Sequence, residues 1–310
     1  MRWALILIFV LGCGNSNGTS DAGFGDGDPG TDRAADGGDG NGDGDDKVAW
    51  GWVKVLEVSG TYISGSEAGA YFAVEASYPR SLVHHLDIPC QQTQSAGDCS
   101  LWIHPALLFA LCDPPCNGDQ ECMYEGTNAY CQDLPAHWDV GTVTIQGLKT
   151  DVIMTPDDLD CYTAAGLPED LFDDGDPVTA SVEGGELGPF SLSAAGVADL
   201  EVDSTTVELQ RGQPATVSWT PADADSRVQV LLLSGPHDPT RPTAAILCDV
   251  PDSDGSVQID AALVDGFINN LVVVQKFSRI TRYSRDVQTP FEKEIELFVG
   301  SVVELGLFLP

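Results

Sequence analysis

LQRGQPATVSWTPADADSRVQVLLLSG, residues 209–235, decides the fold class. Two short runs, 215–219 (ATVSW) and 227–233 (RVQVLLL), are rich in β-branched and apolar residues. A Pro/Asp/Ser tract that suits a turn separates them. Similar runs at 205–209, 244–248, 256–259 and 271–274 follow at the spacing of a sandwich. Upstream, 70–78, 141–147 and 178–182 are short, β-branched or aromatic, and bounded by Gly, Pro or Asp. The last stretch, 294–309, alternates and then runs apolar, as a final core strand pair would. Helical patterns are scarce, with 100–112, 162–172 and 261–268 as short candidates. The expected class is all-β, a β-sandwich of two packed sheets with a small disulfide-rich insertion.

The N-terminus reads differently. Met1-Arg2 carries one positive charge, and Trp3 to Leu11 is nine consecutive apolar residues. That length fits a secretory signal and falls short of the ~20 residues a membrane-spanning helix needs. Val10-Leu11-Gly12-Cys13 resembles the lipobox of bacterial lipoproteins, which implies that Cys13 is diacylglycerylated and becomes the mature N-terminus. It departs from the usual pattern in having Val10 and Leu11 where leucine and a small residue are commoner.

A tether follows. Residues 14–46 hold 11 Gly and 9 Asp among 33, with Phe24 the sole aromatic. So little apolar surface cannot offset the entropy of ordering, and the segment is expected to stay disordered, with a reach of roughly 30 Å. Two motif matches inside it come from composition. Gly25-x-Gly27-x-x-Gly30 has no strand before it and carries Pro29 in the phosphate loop. Asp39-x-Asn41-x-Asp43-Gly44 starts like an EF-hand loop, but its closing position is Trp50 rather than Glu.

Charge narrows the function classes. The chain has 48 acidic and 14 basic residues, and the first 47 residues hold 9 and 3 of them. The folded part therefore keeps an excess of 28 negative charges. This argues against nucleic acid, whose phosphates need clustered Lys and Arg, and against electrostatic docking to anionic lipid.

Eight cysteines follow Cys13: Cys90, Cys99, Cys112, Cys116, Cys122, Cys131, Cys161 and Cys248. An even number in an exported chain reads as disulfides. Zinc, the competing reading, favours paired C-x2-C ligands and free thiolates, which an oxidising compartment disfavours. The segment CDPPCNGDQECMYEGTNAYC, residues 112–131, resembles the first four cysteines of an EGF-like module. That resemblance implies Cys112–Cys122 and Cys116–Cys131; the module's third bridge is missing, which makes this a truncated knuckle. Cys90 and Cys99 are expected to close a small loop, which leaves Cys161 and Cys248 to pair by elimination.

No Gly-x-Ser-x-Gly elbow, His-Glu-x-x-His, P-loop or kinase signature occurs, and catalytic residues are expected to be none. His84, His85, His104, His137 and His237 read as ordinary histidines. The densest polar cluster is TPDDLDCYTAAGLPEDLFDDGDP, residues 155–177, with eight carboxylates and no base. Calcium takes six to eight oxygens, so Asp173, Asp174 and Asp176 are its candidate ligands, and calcium is the one cofactor the sequence suggests. A solvated acidic loop is the plainer reading.

Residues 209–235 also resemble the B–C strand region of bacterial immunoglobulin-like domains, with Trp219 as the core tryptophan. The chain after the tether resembles a loose group of exported lipoproteins from predatory and gliding bacteria, which share the acidic tether, the cysteine knuckle and a turn like that at 184–193 (GGELGPFSLS). The resemblance implies no activity. The expected organisation is a signal peptide at 1–12, lipidated Cys13 and tether to 47, a disulfide-rich β domain at 48–196 with the knuckle at 112–131, and an immunoglobulin-like sandwich at 197–310; the competing possibility is a single interleaved sandwich with strands from both halves in one core. The expected function is that of a non-catalytic envelope lipoprotein, structural or binding, exported and lipid-anchored in the outer membrane. Its partners would be the membrane, through the anchor, and an unknown envelope protein or polysaccharide. The alternatives are a calcium-dependent adhesion module and, third, a carbohydrate-active or other hydrolase. Cys13→Ser should move the protein from the membrane fraction to the soluble one; unchanged partitioning would contradict the anchor.

Overall fold

The computed structural model describes residues 48–49, 51–60, 64–72, 78–79, 91–104, 120–125, 128–133, 138–157, 162–185, 187–234, 243–270, 278–290 and 294–310. The first half supplies β1 (Val48–Ala49), β2 (Gly51–Ser59), β3 (Gly65–Phe72), β4 (Tyr78–Pro79), β5 (Gln91–Ala96), β6 (Cys99–His104), β7 (Gln120–Glu125), β8 (Asn128–Asp133), β9 (Val143–Gln146), β10 (Val152–Met154), β11 (Tyr162–Ala164), β12 (Pro177–Val182) and β13 (Phe190–Ala195). The second half adds β14 (Thr206–Glu208), β15 (Ala215–Ser218), β16 (Arg227–Leu233), β17 (Thr243–Pro251), β18 (Ser256–Ile259), α1 (Ala261–Asn269), β19 (Ser278–Gln288) and β20 (Ile295–Phe308).

Local chemistry explains the elements. Along β12 the residues Val178, Ala180 and Val182 are buried and those between them are not, the two-residue period of a half-buried strand. α1 starts where the Asp260 carboxylate accepts the Ala262 N–H at 2.7 Å, and it buries Leu263, Val264 and Phe267 along one stripe. Between β9 and β10 the chain turns at Gly147, whose φ is +84°; a Cβ there would lie 1.9 Å from the Pro177 carbonyl.

β20 is the spine. It runs parallel to β2 from Gly51↔Ile295 to Ser59↔Val303, antiparallel to the whole of β19, and parallel to β14 at its far end. The large sheet runs β11-β3-β2-β20-β19-β16-β17-β6-β5, and β10-β9-β12-β13 forms a second, smaller sheet. Two cores lie on the inner face of the large sheet. The first packs Val53, Val55, Leu297 and Val299 against Val143, Ile145, Val178 and Leu192 of the small sheet. The second packs Val230, Ile246, Val303 and Leu305 against Val217, Trp219, Ile259 and the buried stripe of α1.

A polar row separates these cores. Glu57, Ser301 and Arg282 are register neighbours on β2, β20 and β19. On β20 the inner residues Ile295, Leu297 and Val299 belong to the first core, Ser301 to the row, and Val303, Leu305 and Leu307 to the second. Arg282 is fully buried. Its Nε and Nη2 each donate to Asp252 Oδ1 at 3.1 Å, Nη1 to the carbonyls of Ala198 and Asp199, and Nη2 to that of Thr220. Asp252 Oδ2 accepts the N–H groups of Ala222 and Asp223 at 2.8 and 2.9 Å. Ser301 Oγ accepts the Leu200 N–H at 3.1 Å, and Ser284 Oγ donates to the Ala195 carbonyl. The row therefore holds 195–200, the crossing from the small sheet to the second core.

The all-β sandwich is as expected, and Trp219 is buried in the second core. The boundary at 196/197 is corrected, because the large sheet draws on both halves: β2 pairs with β20, and β6 with β17. The expected pairings Cys90–Cys99 and Cys161–Cys248 are also corrected. Cys99 is bonded to Cys248, its register partner across β6 and β17, since that pairing sets the two residues face to face; Cys90 and Cys161 lie outside the described residues. β7 and β8 form a hairpin with Cys122 opposite Cys131, while Cys112 and Cys116 lie outside the described residues. The helix at 261–268 is present as α1. The helix candidates at 100–112 and 162–172 begin instead as β6 and β11, because the neighbouring β17 and β3 take up their backbone hydrogen bonds. The expected pair at 294–309 is the single strand β20. The expected strand at 271–274, the tether, Cys13 and the signal segment lie outside the described residues.

The polar row can be tested at both ends. Arg282→Met leaves Asp252 buried without its cation and should lower the unfolding free energy by about 3–5 kcal/mol, read by denaturant titration; a loss below about 1 kcal/mol would contradict it. Burial, and secondarily Asp199 and Asp170, raises the Glu57 carboxyl above the ordinary 4.5, although the Leu171 and Phe172 N–H groups donate to it. Folded Glu57 thus binds its proton more tightly than the unfolded chain does, so its ionised form costs stability above the raised value, and that cost fades as pH falls through it. Glu57→Gln should raise Tm at a pH of about 7–8, with the gain shrinking towards pH 4.5; a gain that grows on acidification would contradict this.

Candidate functional site

Strand alternation puts a second set of residues on the opposite, outer face of the large sheet. Much of it is closed to solvent, over Trp102, Leu231 and Leu247 on one side and Leu56, Tyr283, Phe298 and Val302 on the other. At one end this apolar face gives way to polar groups. β16 begins with Arg227, which stands opposite Tyr283 of β19. The next outward residue, Gln229, stands between Asp249 of β17 and Thr281 of β19.

Asp249 ties the cluster together. Its Oδ1 accepts Arg227 Nε–H at 2.8 Å, its Oδ2 accepts the Tyr283 hydroxyl at 2.7 Å, and its carbonyl accepts Arg227 Nη2–H at 3.1 Å. Tyr283 stacks on Phe298 with ring centroids 4.5 Å apart. The stack has room because β20 carries Gly300 opposite Tyr283; a Cβ there would meet Leu56 and Thr281 at 3.1 Å. The exposed guanidinium of Arg285 lies 6.0 Å from the Tyr283 ring centre, within cation–π range.

The titrations follow from this packing. Burial and the Asp249 charge push the Tyr283 hydroxyl far above the usual tyrosine range, so it stays a neutral donor to Asp249. For Arg227, partial burial works against the charged form, but the charge and hydrogen bond of Asp249 outweigh it and the value is raised. The side chains of Arg227 and Asp249 are 39% and 33% exposed, so solvent reaches the cluster there, whereas the neighbouring Gln229 is only 5% exposed. Gln229 Oε1 is buried and has no hydrogen-bond partner among the described residues. The ensemble sets a carboxylate, a guanidinium, a neutral phenol and an amide side by side on adjoining strands.

The residues expected to hold calcium are arranged otherwise. Lys149, from the turn after β9, supplies the cation missing from the acidic segment and pairs with Asp170 and, at 2.9 Å, with Asp173. Among the described residues no three His, Cys, Asp or Glu side chains gather to hold a metal ion, so Asp173, Asp174 and Asp176 do not form the expected ligand set. His84, His85, His137 and His237 lie outside the described residues. No helix among the described residues is long and apolar enough to cross a membrane.

Sequence reasoning passes over Arg227, Gln229, Asp249, Tyr283 and Arg285, although two signals are present. In RVQVLLL the alternation sets Arg227 and Gln229 on the face opposite Val228 and Val230, and SRITRYSRD concentrates Arg279, Arg282 and Arg285 in a chain with only 14 basic residues.

No protein-family description matches the chain, and no curated protein matches it. Among solved structures, the chain has a likeness to a proposed carbohydrate binding protein from Bacteroides uniformis ATCC 8492, at 12% identity, over 54% of this chain and 89% of that one. The TM-score is 0.15, and a likeness at that level carries no argument about fold or function.

Proposed function

We propose that the chain is an exported, lipid-anchored, non-catalytic binding protein of the cell envelope, anchored in the outer membrane. Cys13 is its lipidation site and residues 14–46 its spacer. The observation that carries the binding role is the cluster of Arg227, Asp249, Tyr283 and Arg285. It joins a carboxylate and two guanidinium groups that solvent reaches, and the buried Tyr283–Phe298 stack backs them. Arginine is among the side chains that dominate recognition surfaces, and on a rigid support it loses little freedom on binding. The excess of negative charge keeps copies apart and favours solubility.

The test uses the full chain made soluble by Cys13→Ser and envelopes from cells lacking the protein. Saturable binding is expected, weakened at least about tenfold by Arg285→Ala with Tm unchanged, the loss expected of a charged contact worth ~1.4 kcal/mol or more. Binding that ignores Arg285, or release of soluble envelope fragments by the protein, would overturn the proposal.

A further inference from the structure

We infer that the cluster receives a neutral saccharide, with Gln229 as a reserved acceptor for a sugar hydroxyl. The inference rests on the reading of this face as the binding surface, and it is carried by hydrogen-bond bookkeeping. Gln229 is 5% exposed and its buried Oε1 has no donor among the described residues. A buried acceptor without a partner destabilises a fold, and an apolar residue of the same length would relieve it. A glutamine kept there despite the penalty is explained if a donor arrives from outside. The register places it between Asp249 and Thr281, and solvent reaches the neighbouring side chains of Arg227 and Asp249.

The neighbours indicate the donor's chemistry. Arg227 and Asp249 neutralise one another, so the inner part of the cluster has no net charge to offer an ion. Two further facts weigh against an anion: the chain's net charge of −34, and Arg285 as the cluster's single guanidinium without a carboxylate partner among the described residues. A metal cation would need several converging oxygens, and the described residues offer no such group. What is left is an open acceptor at Gln229, spare lone pairs on Asp249 and further N–H groups on Arg227. A group that both donates and accepts satisfies all three, and adjacent hydroxyls on a sugar ring do so without carrying charge.

The experiment uses the soluble Cys13→Ser chain and its Gln229→Met variant, which keeps the side-chain length. The probes are immobilised dextran, mannan and N-acetylglucosamine oligomers, with polygalacturonate as the anionic control. At least one neutral glycan should be retained, Gln229→Met should weaken retention at least about tenfold, and Tm of the glycan-free variant should rise by a few degrees. A variant with lowered Tm and unchanged glycan retention would make Gln229 a structural residue and overturn the inference. Retention of polygalacturonate alone, or of no glycan while envelope binding remains sensitive to Arg285→Ala, would overturn it and leave the binding role standing. Retention of neither glycan nor envelope would overturn both.

Discussion

The buried pair of Arg282 and Asp252 is the constraint around which the sandwich is arranged. Both side chains are fully removed from solvent. Desolvating two charges costs more than their attraction returns unless the remaining donors and acceptors are met. Here they are met by main-chain groups from three places: the carbonyls of Ala198 and Asp199, the carbonyl of Thr220, and the N–H groups of Ala222 and Asp223. The indole N–H of Trp219 adds a bond to the Asp252 carbonyl at 3.0 Å. None of these segments can move far without stranding a buried charge. The pair thus fixes where the chain crosses the sheet and where the second core begins.

From that row the rest of the architecture can be read. Glu57 and Ser301 extend the polar line across β2 and β20. The inner apolar residues on one side of it pack with the small sheet, and those on the other pack with α1 and the β15–β18 ribbon. One sheet with two covers explains why residues far apart in sequence are neighbours. The side chains of β19 close the edge of the small sheet as well, Asp286 accepting the Ser193 N–H at 2.9 Å. The outer face of the same strands carries the aromatic and charged cluster, so the frame that sets the core also sets the candidate site. On the proposed reading, a stiff module of this kind at the end of a Gly/Asp spacer presents one fixed surface while its anchor stays in the membrane.

The strands are legible because most of them are amphipathic or β-branched over a few residues, and alternation alone locates β9, β12, β15, β16 and β18. α1 is legible from its apolar spacing after Asp260. Pairing is not. β2 and β20 are both apolar, but nothing local in GWVKVLEVS says that its neighbour is a strand from the far end of the chain, since parallel pairing depends on the whole topology. The cysteines mislead for the same reason: Cys90 is near Cys99 in sequence, yet β6 sits beside β17, and register gives Cys99 to Cys248. The acidic segment lacks a base within itself, but Lys149 reaches it from another turn. Gln229 is written in the alternation of RVQVLLL; its missing partner is not, because Asp249, Thr281 and Tyr283 come from strands that only the fold brings alongside.

One sheet, drawn from both halves of the chain, carries both cores, and a fragment decides whether that is so. Residues 197–310 expressed alone with Cys248→Ser would keep β14 to β20 and α1 but lose β2, β6 and the small sheet, exposing Val299, Leu297 and Ile246. The shared sheet predicts an aggregated product, or one without a cooperative unfolding transition. A soluble fragment with native-like β content that unfolds in a single cooperative step would contradict it.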